Sequence, residues 1–212
     1  LATPEVNNEF KGEIVPSAGA EIYLRHDLTL APVKAYLWKG VEGAKEKEFG
    51  KVIITKEFAS GEEMIVKPGE TLVVDFGQNC AGVPSFVFKA TEGTQLSCLP
   101  SELLNDGNGA ESRGMDGPEG SVHRLNLRIP ETGMLLDYTF GCGNDYVAYH
   151  PSHTFYGYRF VSITATDEVS IKSLTSIPVT SIAKEMEIGT ITTGNELINK
   201  LIANTYWGQL SN

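Results

Sequence analysis

Paired cysteines are missing. The three in the chain, Cys80, Cys98 and Cys142, lie far apart, form no C-x-x-C unit and are odd in number. That speaks against a disulfide scaffold and a cysteine-rich zinc site, and makes buried thiols acting as small apolar residues the expectation. Basic charge is also scarce, with 17 Lys and Arg against 27 Asp and Glu and a net charge of −10. Such a balance repels a phosphate backbone at long range, so nucleic acid is not an expected partner. No apolar run approaches the roughly 20 residues that cross a bilayer as a helix, so no membrane span is expected. Neither a G-x-S-x-G elbow nor a Gly-rich phosphate loop opening a helix occurs. The chain starts at Leu1 without a basic and then apolar leader. It is expected to come from within a longer protein, which leaves its compartment open.

Metal-binding patterns are as thin. His150 and His153 stand three apart, a spacing that invites zinc. Pro151 between them prevents a shared helical face, and His26 and His123 are the remaining imidazoles. Asp106, Gly107, Asn108 and Gly109 begin like a calcium loop, but Ala110 stands where an oxygen ligand is due and no glutamate closes the pattern. No metal and no cofactor is therefore expected. Glu102, Asp106, Glu111 and Asp116 would supply a carboxylate pair for glycoside hydrolysis on paper, as any acidic surface loop would.

What the chain does have is a succession of short β-rich runs punctuated by Gly, Pro, Asn and Asp. They cover 33–40, 51–58, 62–69, 70–77, 83–90, 94–101, 121–129, 134–140, 154–166 and 170–182. Many short strands without helical patterns between them predict an all-β fold, an antiparallel sandwich or barrel. The turn residues of KPGE (67–70) and ATEG (90–93) predict hairpins. Residues 101–120 hold five glycines, one proline and five carboxylates. That composition predicts a mobile surface loop, or one that contacts a ligand or a neighbouring domain.

Near the end the pattern changes. Thr193 and Glu196 have capping-box spacing, and Leu197, Ile198, Leu201, Ile202 and Thr205 recur along one helical face. A helix is expected from about residue 194, with an apolar face that needs a partner. In HPSHTFYGYRFVSIT (150–164), alternation puts Tyr156, Tyr158 and Phe160 on one face and Phe155, Arg159, Val161 and Ile163 on the other. Both faces are largely apolar, as in a central strand, and Arg159 would need a carboxylate or a set of carbonyls. Aromatic rings stack on pyranose faces, so Trp38, Tyr146 and Tyr149 are the carbohydrate-contact candidates, with core packing as the alternative for each.

Three ordered stretches, VVDFGQNCAGVPSFVFKATEGTQLSCLPSELLNDG (73–107), HPSHTFYGYRFVSIT (150–164) and the tail from Ser176 to Asn212, resemble those of bacterial α-L-rhamnosidases, glycoside hydrolase family 78. Asp75, Gly77, Gln78, Asn79, Gly82, Glu102 and Gly107 fall in step with the family's D-x-G-Q-N-x-x-G motif and the glutamate and glycine that follow it. Pro151, Phe155, Gly157, Tyr158, Arg159, Phe160 and Val161 match its aromatic strand, with Tyr156 where the family usually has histidine. The tail from Ser176 to Asn212 resembles the bridge into a helical barrel.

This resemblance covers roughly residues 70–212 and implies a concanavalin-like, jelly-roll-like sandwich. The expected division is a β-sandwich over 1–183, then a linker and first helix over 184–212 leading toward an (α/α)6 catalytic domain. It implies a parent hydrolase that removes terminal α-L-rhamnose from glycans by an acid and a base on the barrel. A periplasmic or extracellular setting is implied as well. The expected role of this chain is support of the barrel, its partner, without catalysis of its own. The alternative is a carbohydrate-binding module for rhamnose-containing glycans.

Overall fold

The computed structural model describes residue 16 and residues 19–107, 116–124, 135–141, 143 and 145–211. In chain order the strands are β1 (Tyr23–Leu24), β2 (Lys34–Glu42), β3 (Lys51–Glu57), β4 (Met64–Val66) and β5 (Thr71–Ala90). They continue with β6 (Gln95–Ser101), β7 (Leu136–Thr139), β8 (Val147–Tyr149), β9 (Tyr156–Ala165) and β10 (Val169–Thr180). One helix, α1 (Glu196–Leu210), follows them. Every pairing between these strands is antiparallel.

The two runs expected at 70–77 and 83–90 are one 20-residue strand, β5. Its first part lies between β2 and the second half of β9, and its last part pairs with β10 and β8. The strand therefore belongs to both layers of an antiparallel sandwich, one of β3, β2, β5, β9, β6 and β7 and the other of β1, β4, β10, β5 and β8. The passage between layers is a bulge, where Asp75 to Cys80 on β5 stand opposite Phe160 to Tyr158 on β9. Extra residues in one strand bend it and sharpen its twist.

The main core fills the space between the layers. Leu72, Val74, Leu96 and Ile163 from one layer meet Phe86, Phe88, Val169 and Ile171 from the other, all buried. They recur at every second position of their strands, and the residues between them are half-buried or, like Val73, face the second cluster. Strict alternation fails at the bulge. Tyr156, Tyr158, Val161 and Ile163 share the main core, whereas Phe160 turns into a second cluster with Tyr36, Val52, Val73 and Val122. A shift in phase between Tyr158 and Val161 moves every later residue to the opposite face from the one predicted.

The turns at 67–70 and 90–93 are present, closed by Glu70 N–H to Lys67 O (3.0 Å) and Thr94 N–H to Thr91 O (3.1 Å). They do not form hairpins. β4 pairs with β10 rather than β5, and β6 pairs with β7 and β9 rather than β5. Turn chemistry dictates the local reversal but not which strand lies alongside afterwards.

The acidic, Gly-rich segment also differs from the expected surface loop, because its described ends cover the second cluster. Leu104 bridges Val122, Tyr36 Oη donates to Gly120 O (2.6 Å), and Ser101 Oγ donates to His123 O (2.6 Å). Buried Asn105 donates from Nδ2 to Ser121 Oγ (2.9 Å) and Asp116 Oδ1 (3.1 Å). The possible calcium loop beyond Gly107 and most of the run expected at 121–129 lie outside the described residues.

Candidate functional site

Asp75, Gly77, Gln78, Asn79, Glu102 and Arg159 of the matched motifs meet at the β5 bulge. Arg159 on β9 grips Asp75 through a two-pronged pair, Nε to Oδ1 at 2.7 Å and Nη2 to Oδ2 at 2.8 Å. Of the carboxylate or set of carbonyls expected for Arg159, the structure supplies the carboxylate, and the planar fork fixes direction as well as distance. Asp75 Oδ1 also accepts the Gly77 N–H at 2.7 Å. Gly77 has φ +76°, a left-handed conformation, and an added Cβ would lie 3.1 Å from Val33 Cγ1, so glycine is required there. Beyond it Gln78 Nε2 donates to Asn79 O (2.8 Å) and Asn79 Nδ2 donates to Glu102 Oε1 (3.0 Å).

The bulge reaches the C-terminal helix. Ala81 N–H donates to Ser211 Oγ at 3.0 Å, and Ser211 caps α1 through its own N–H. Beneath the contact, Tyr158 Oη donates to Ser176 Oγ (2.7 Å), beside the buried Cys80 thiol. Burial raises the pKa of Tyr158 well above its ordinary value and also raises those of the Cys80 and Cys98 thiols. They are protonated packing groups, as expected for buried thiols. Cys142 lies outside the described residues. Above the bulge is a cleft of about 390 Å³ between the sandwich and α1, lined by Gln78, Asn79, Glu102, Phe155, Gly157 and Trp207 among others.

A second tie holds the linker. Arg25, 3% exposed, pairs with Asp27 at 2.9 Å and donates to Glu187 Oε1 at 2.6 Å. Tyr206 Oη on α1 donates to the same Glu187 oxygen at 2.9 Å. The segment just after β1, the linker and the helix thus meet at one carboxylate. Hydrogen bonds from Arg25 lower the Asp27 pKa to about 2 and hold that of Glu187 below its ordinary value. Both groups are more acidic folded than unfolded. Their stabilisation is complete above the ordinary carboxylate value of about 4 and is lost as pH falls toward about 2. The unfolding midpoints of wild type and Arg25→Met are expected to differ at pH 7, to approach one another below pH 4 and to coincide near pH 2. A difference that does not change with pH would contradict this assignment.

Helix α1 begins two residues later than its pattern suggests. Asn195, not Thr193, is the N-cap, its Oδ1 accepting from Leu197 N (2.9 Å) and Ile198 N (3.4 Å). Thr193 instead donates from Oγ1 to Asn199 Oδ1 (2.9 Å) and braces the turn before the cap. Between linker and helix runs an apolar groove of about 810 Å³ lined by Ile188, Ile191, Ile202 and Tyr206, among others. Ile188 is 95% exposed, Leu197 75% and Leu201 65%.

The three aromatic candidates occupy separate places. Tyr146 lies beneath Lys89 Nζ (4.7 Å) and Lys172 Nζ (5.4 Å), and its hydroxyl donates to Glu63. Tyr149 packs on the main core, its ring 4.6 Å from that of Tyr138. Trp38 adjoins the second cluster, and its buried Nε1–H has no hydrogen-bond partner among the described residues. Such an orphan donor costs about 1–3 kcal/mol. Trp38→Phe is therefore expected to change stability by less than about 1 kcal/mol, because relief of the orphan offsets the lost ring area. Urea unfolding checks this, and a loss near 3 kcal/mol would contradict it.

The histidines do not meet. His150 Nδ1 lies 3.2 Å from Pro151 O, while His153 takes a left-handed turn with φ 61°. Among the described residues no group of three or more His, Cys, Asp and Glu side chains is placed to hold a metal. Sequence reading missed the Ser211 contact and the Arg25–Glu187 pair. The latter joins positions 162 residues apart, for which no local pattern exists.

Comparison with known proteins places these features. An α-L-rhamnosidase of Streptomyces avermitilis is 31% identical over 171 residues, covering 77% of this chain, and one from Alteromonas sp. (strain LOR) is 27% identical over 144 residues, covering 68%. The chain spans about 14% of the length of either relative. The solved α-L-rhamnosidase from Dictyoglumus thermophilum superimposes with a TM-score of 0.58 at 24% identity, covering 91% of this chain and 17% of that one. The Aspergillus terreus rhamnosidase structure gives 0.50 at 24% identity, covering 69% and 15%. Both support the fold. The profile of the bacterial α-L-rhamnosidase concanavalin-like domain matches residues 65–180, from β4 to the end of β10 and more than half of the chain. The chain therefore belongs to the family of bacterial α-L-rhamnosidase concanavalin-like domains.

Proposed function

We propose that this chain is the non-catalytic sandwich of an α-L-rhamnosidase and that it seats a helical catalytic domain reached through the linker and α1 at 184–212. The observation that carries the reading is the exposed apolar surface of the linker and helix. Ile188, Leu197 and Leu201 face solvent while Ser211 is tied to the sandwich and Tyr206 to Glu187 of the linker. Exposed apolar surface of this extent is costly unless something covers it. The acid and base that cleave the glycoside belong to the helical domain in this reading, and the sandwich sets where that domain stands.

The test uses the full-length protein that carries this chain. Ile188→Asp with Leu201→Asp is expected to undock the two domains, so that one calorimetric transition becomes two and rhamnosidase activity falls at least about tenfold. A single transition with unchanged activity would overturn the proposal. Trp38, Tyr146 and Tyr149 have different neighbours, and the alternative, a carbohydrate-binding module, requires sugar contact by one or more of them. Saturable binding of L-rhamnose lost on Trp38→Ala would replace the seating role with that alternative.

A further inference from the structure

The carboxylate of Glu187 is the point at which the linker is made fast. Its Oε1 accepts two donors at once, Arg25 Nη1 at 2.6 Å and Tyr206 Oη at 2.9 Å. Arg25 comes from the segment after β1, is buried, and also donates from Nη1 to Ile182 O at 3.2 Å. One guanidinium therefore holds both ends of the stretch from Ile182 to Glu187. Strand pairing does not share that task, because among the described residues no strand lies between β10 and α1. Helix α1 is otherwise held at its C-terminal end, where Leu210 is its one buried residue and Ser211 Oγ accepts the Ala81 N–H. Neither of those contacts is charged. In the groove between linker and helix Glu187 is the single charged side chain among the described lining residues.

The two carboxylates on Arg25 are bound unequally. Asp27 takes the guanidinium fork with both oxygens, Nε to Oδ1 and Nη2 to Oδ2, each at 2.9 Å, whereas Glu187 meets one nitrogen with one oxygen. A two-pronged pair is the stronger, and a glutamate ordinarily takes up its proton at a higher pH than an aspartate. As pH falls, Glu187 is neutralised before Asp27. Arg25 then keeps Asp27 and the Ile182 carbonyl, so the loss of Glu187 leaves no buried charge without a partner. The remaining titratable groups described around Glu187 are Lys184 of the linker, 4.0 Å from Asp27, and Tyr206 of α1. The main core between the layers contains no carboxylate, so acid changes no charge within it.

We propose that Glu187 is an acid-released latch: on taking up a proton it lets the linker and α1 leave the sandwich, while the sandwich stays folded. The device goes beyond the seating role and does not depend on it, because every group in it belongs to this chain. Hydrogen bonds from Arg25 above all, and from Tyr206, outweigh burial and hold the Glu187 pKa below its ordinary value. A depressed pKa makes the hold complete above the ordinary glutamate value of about 4 and loosens it as pH falls further.

The experiment follows Trp207 fluorescence in the chain carrying Trp38→Phe, where Trp207 is the remaining tryptophan. Quenching of Trp207 by acrylamide is expected to rise at least about twofold from about pH 5 to about pH 3 as the helix opens locally, with the far-ultraviolet signal of the strands unchanged. Glu187→Gln keeps an acceptor for Tyr206 but no charge for Arg25, and is expected to show the high quenching at every pH, without a step. A step that persists in Glu187→Gln, or a Trp207 that stays shielded in that variant, would overturn the proposal. So would a Trp207 that stays shielded in Trp38→Phe throughout that range, or strands that unfold together with the helix. If Trp38→Phe does not fold, hydrogen exchange of the unaltered chain decides instead. Protection of α1, corrected for the intrinsic exchange rate, is expected to fall at least about tenfold relative to β5 and β10 over the same range, and an equal fall in all three would overturn the proposal.

Discussion

Phe88→Ala is expected to lower the free energy of unfolding by about 3–5 kcal/mol. Phe88 is fully buried on β5, and its ring centroid lies 5.1 Å from Phe86, 4.8 Å from both Tyr138 and Phe140, and 6.3 Å from Tyr149. Those rings come from β5, β7, β8 and the segment just after β7, so truncation opens a cavity that no single element closes by moving. Aromatic pairs in tilted and edge-on arrangements add to the loss of area. Urea unfolding should show a lower midpoint with an unchanged slope, because the fold and its exposed area on unfolding stay the same. A loss below about 1 kcal/mol would mean that the rings do not form the centre of the core.

Asp75→Ala is the second large effect. It removes both acceptors of the Arg159 fork and the acceptor of Gly77 N–H. Removing one partner of a fully buried pair costs about 3–5 kcal/mol, and the exposed edge of Arg159 reduces that to about 2 kcal/mol here. The consequence extends beyond stability, because the pinned bulge presents Ala81 N–H to Ser211. Hydrogen exchange is expected to quicken along α1 as well as at residues 76–82, with β6 and β10 retaining their protection. Asp75→Asn keeps an acceptor for Gly77 and should lose about half as much stability. Equal losses of protection throughout the sandwich would show that the pair supports the whole fold and does not specifically hold the helix.

Much of the β-architecture was legible because half-buried strands impose a period of two, and β2, β3, β6, β9 and β10 lie where that period appears. The three motif stretches gave the family. What escaped the sequence depends on contacts between distant positions. Gly77 and its polar neighbours carry the signature of a turn, yet the Asp75–Arg159 pair keeps the chain within one strand. The shift that sends Phe160 to the second cluster arises from the same bulge and leaves no mark in the alternation of its neighbours. β1 and β8, with two and three residues, are too short to show any period. Asn105 carries no sign of its burial, since its partners Asp116 and Ser121 come from the far end of a polar segment.

The site was legible in part. Arg159 called for a carboxylate or a set of carbonyls, and Asp75 supplies the carboxylate from a position 84 residues away that no local pattern indicates. The helix was anticipated from its apolar face, while its cap moved to Asn195 because Thr193 is drawn to Asn199.

The most direct test of a non-catalytic role is hydrolysis of an aryl α-L-rhamnoside, measured at equal molarity for the purified 212-residue chain and for the full-length protein. The account predicts turnover by the full-length protein and a rate indistinguishable from buffer for this chain. Turnover by this chain alone, abolished by substitution of its own carboxylates, would contradict it.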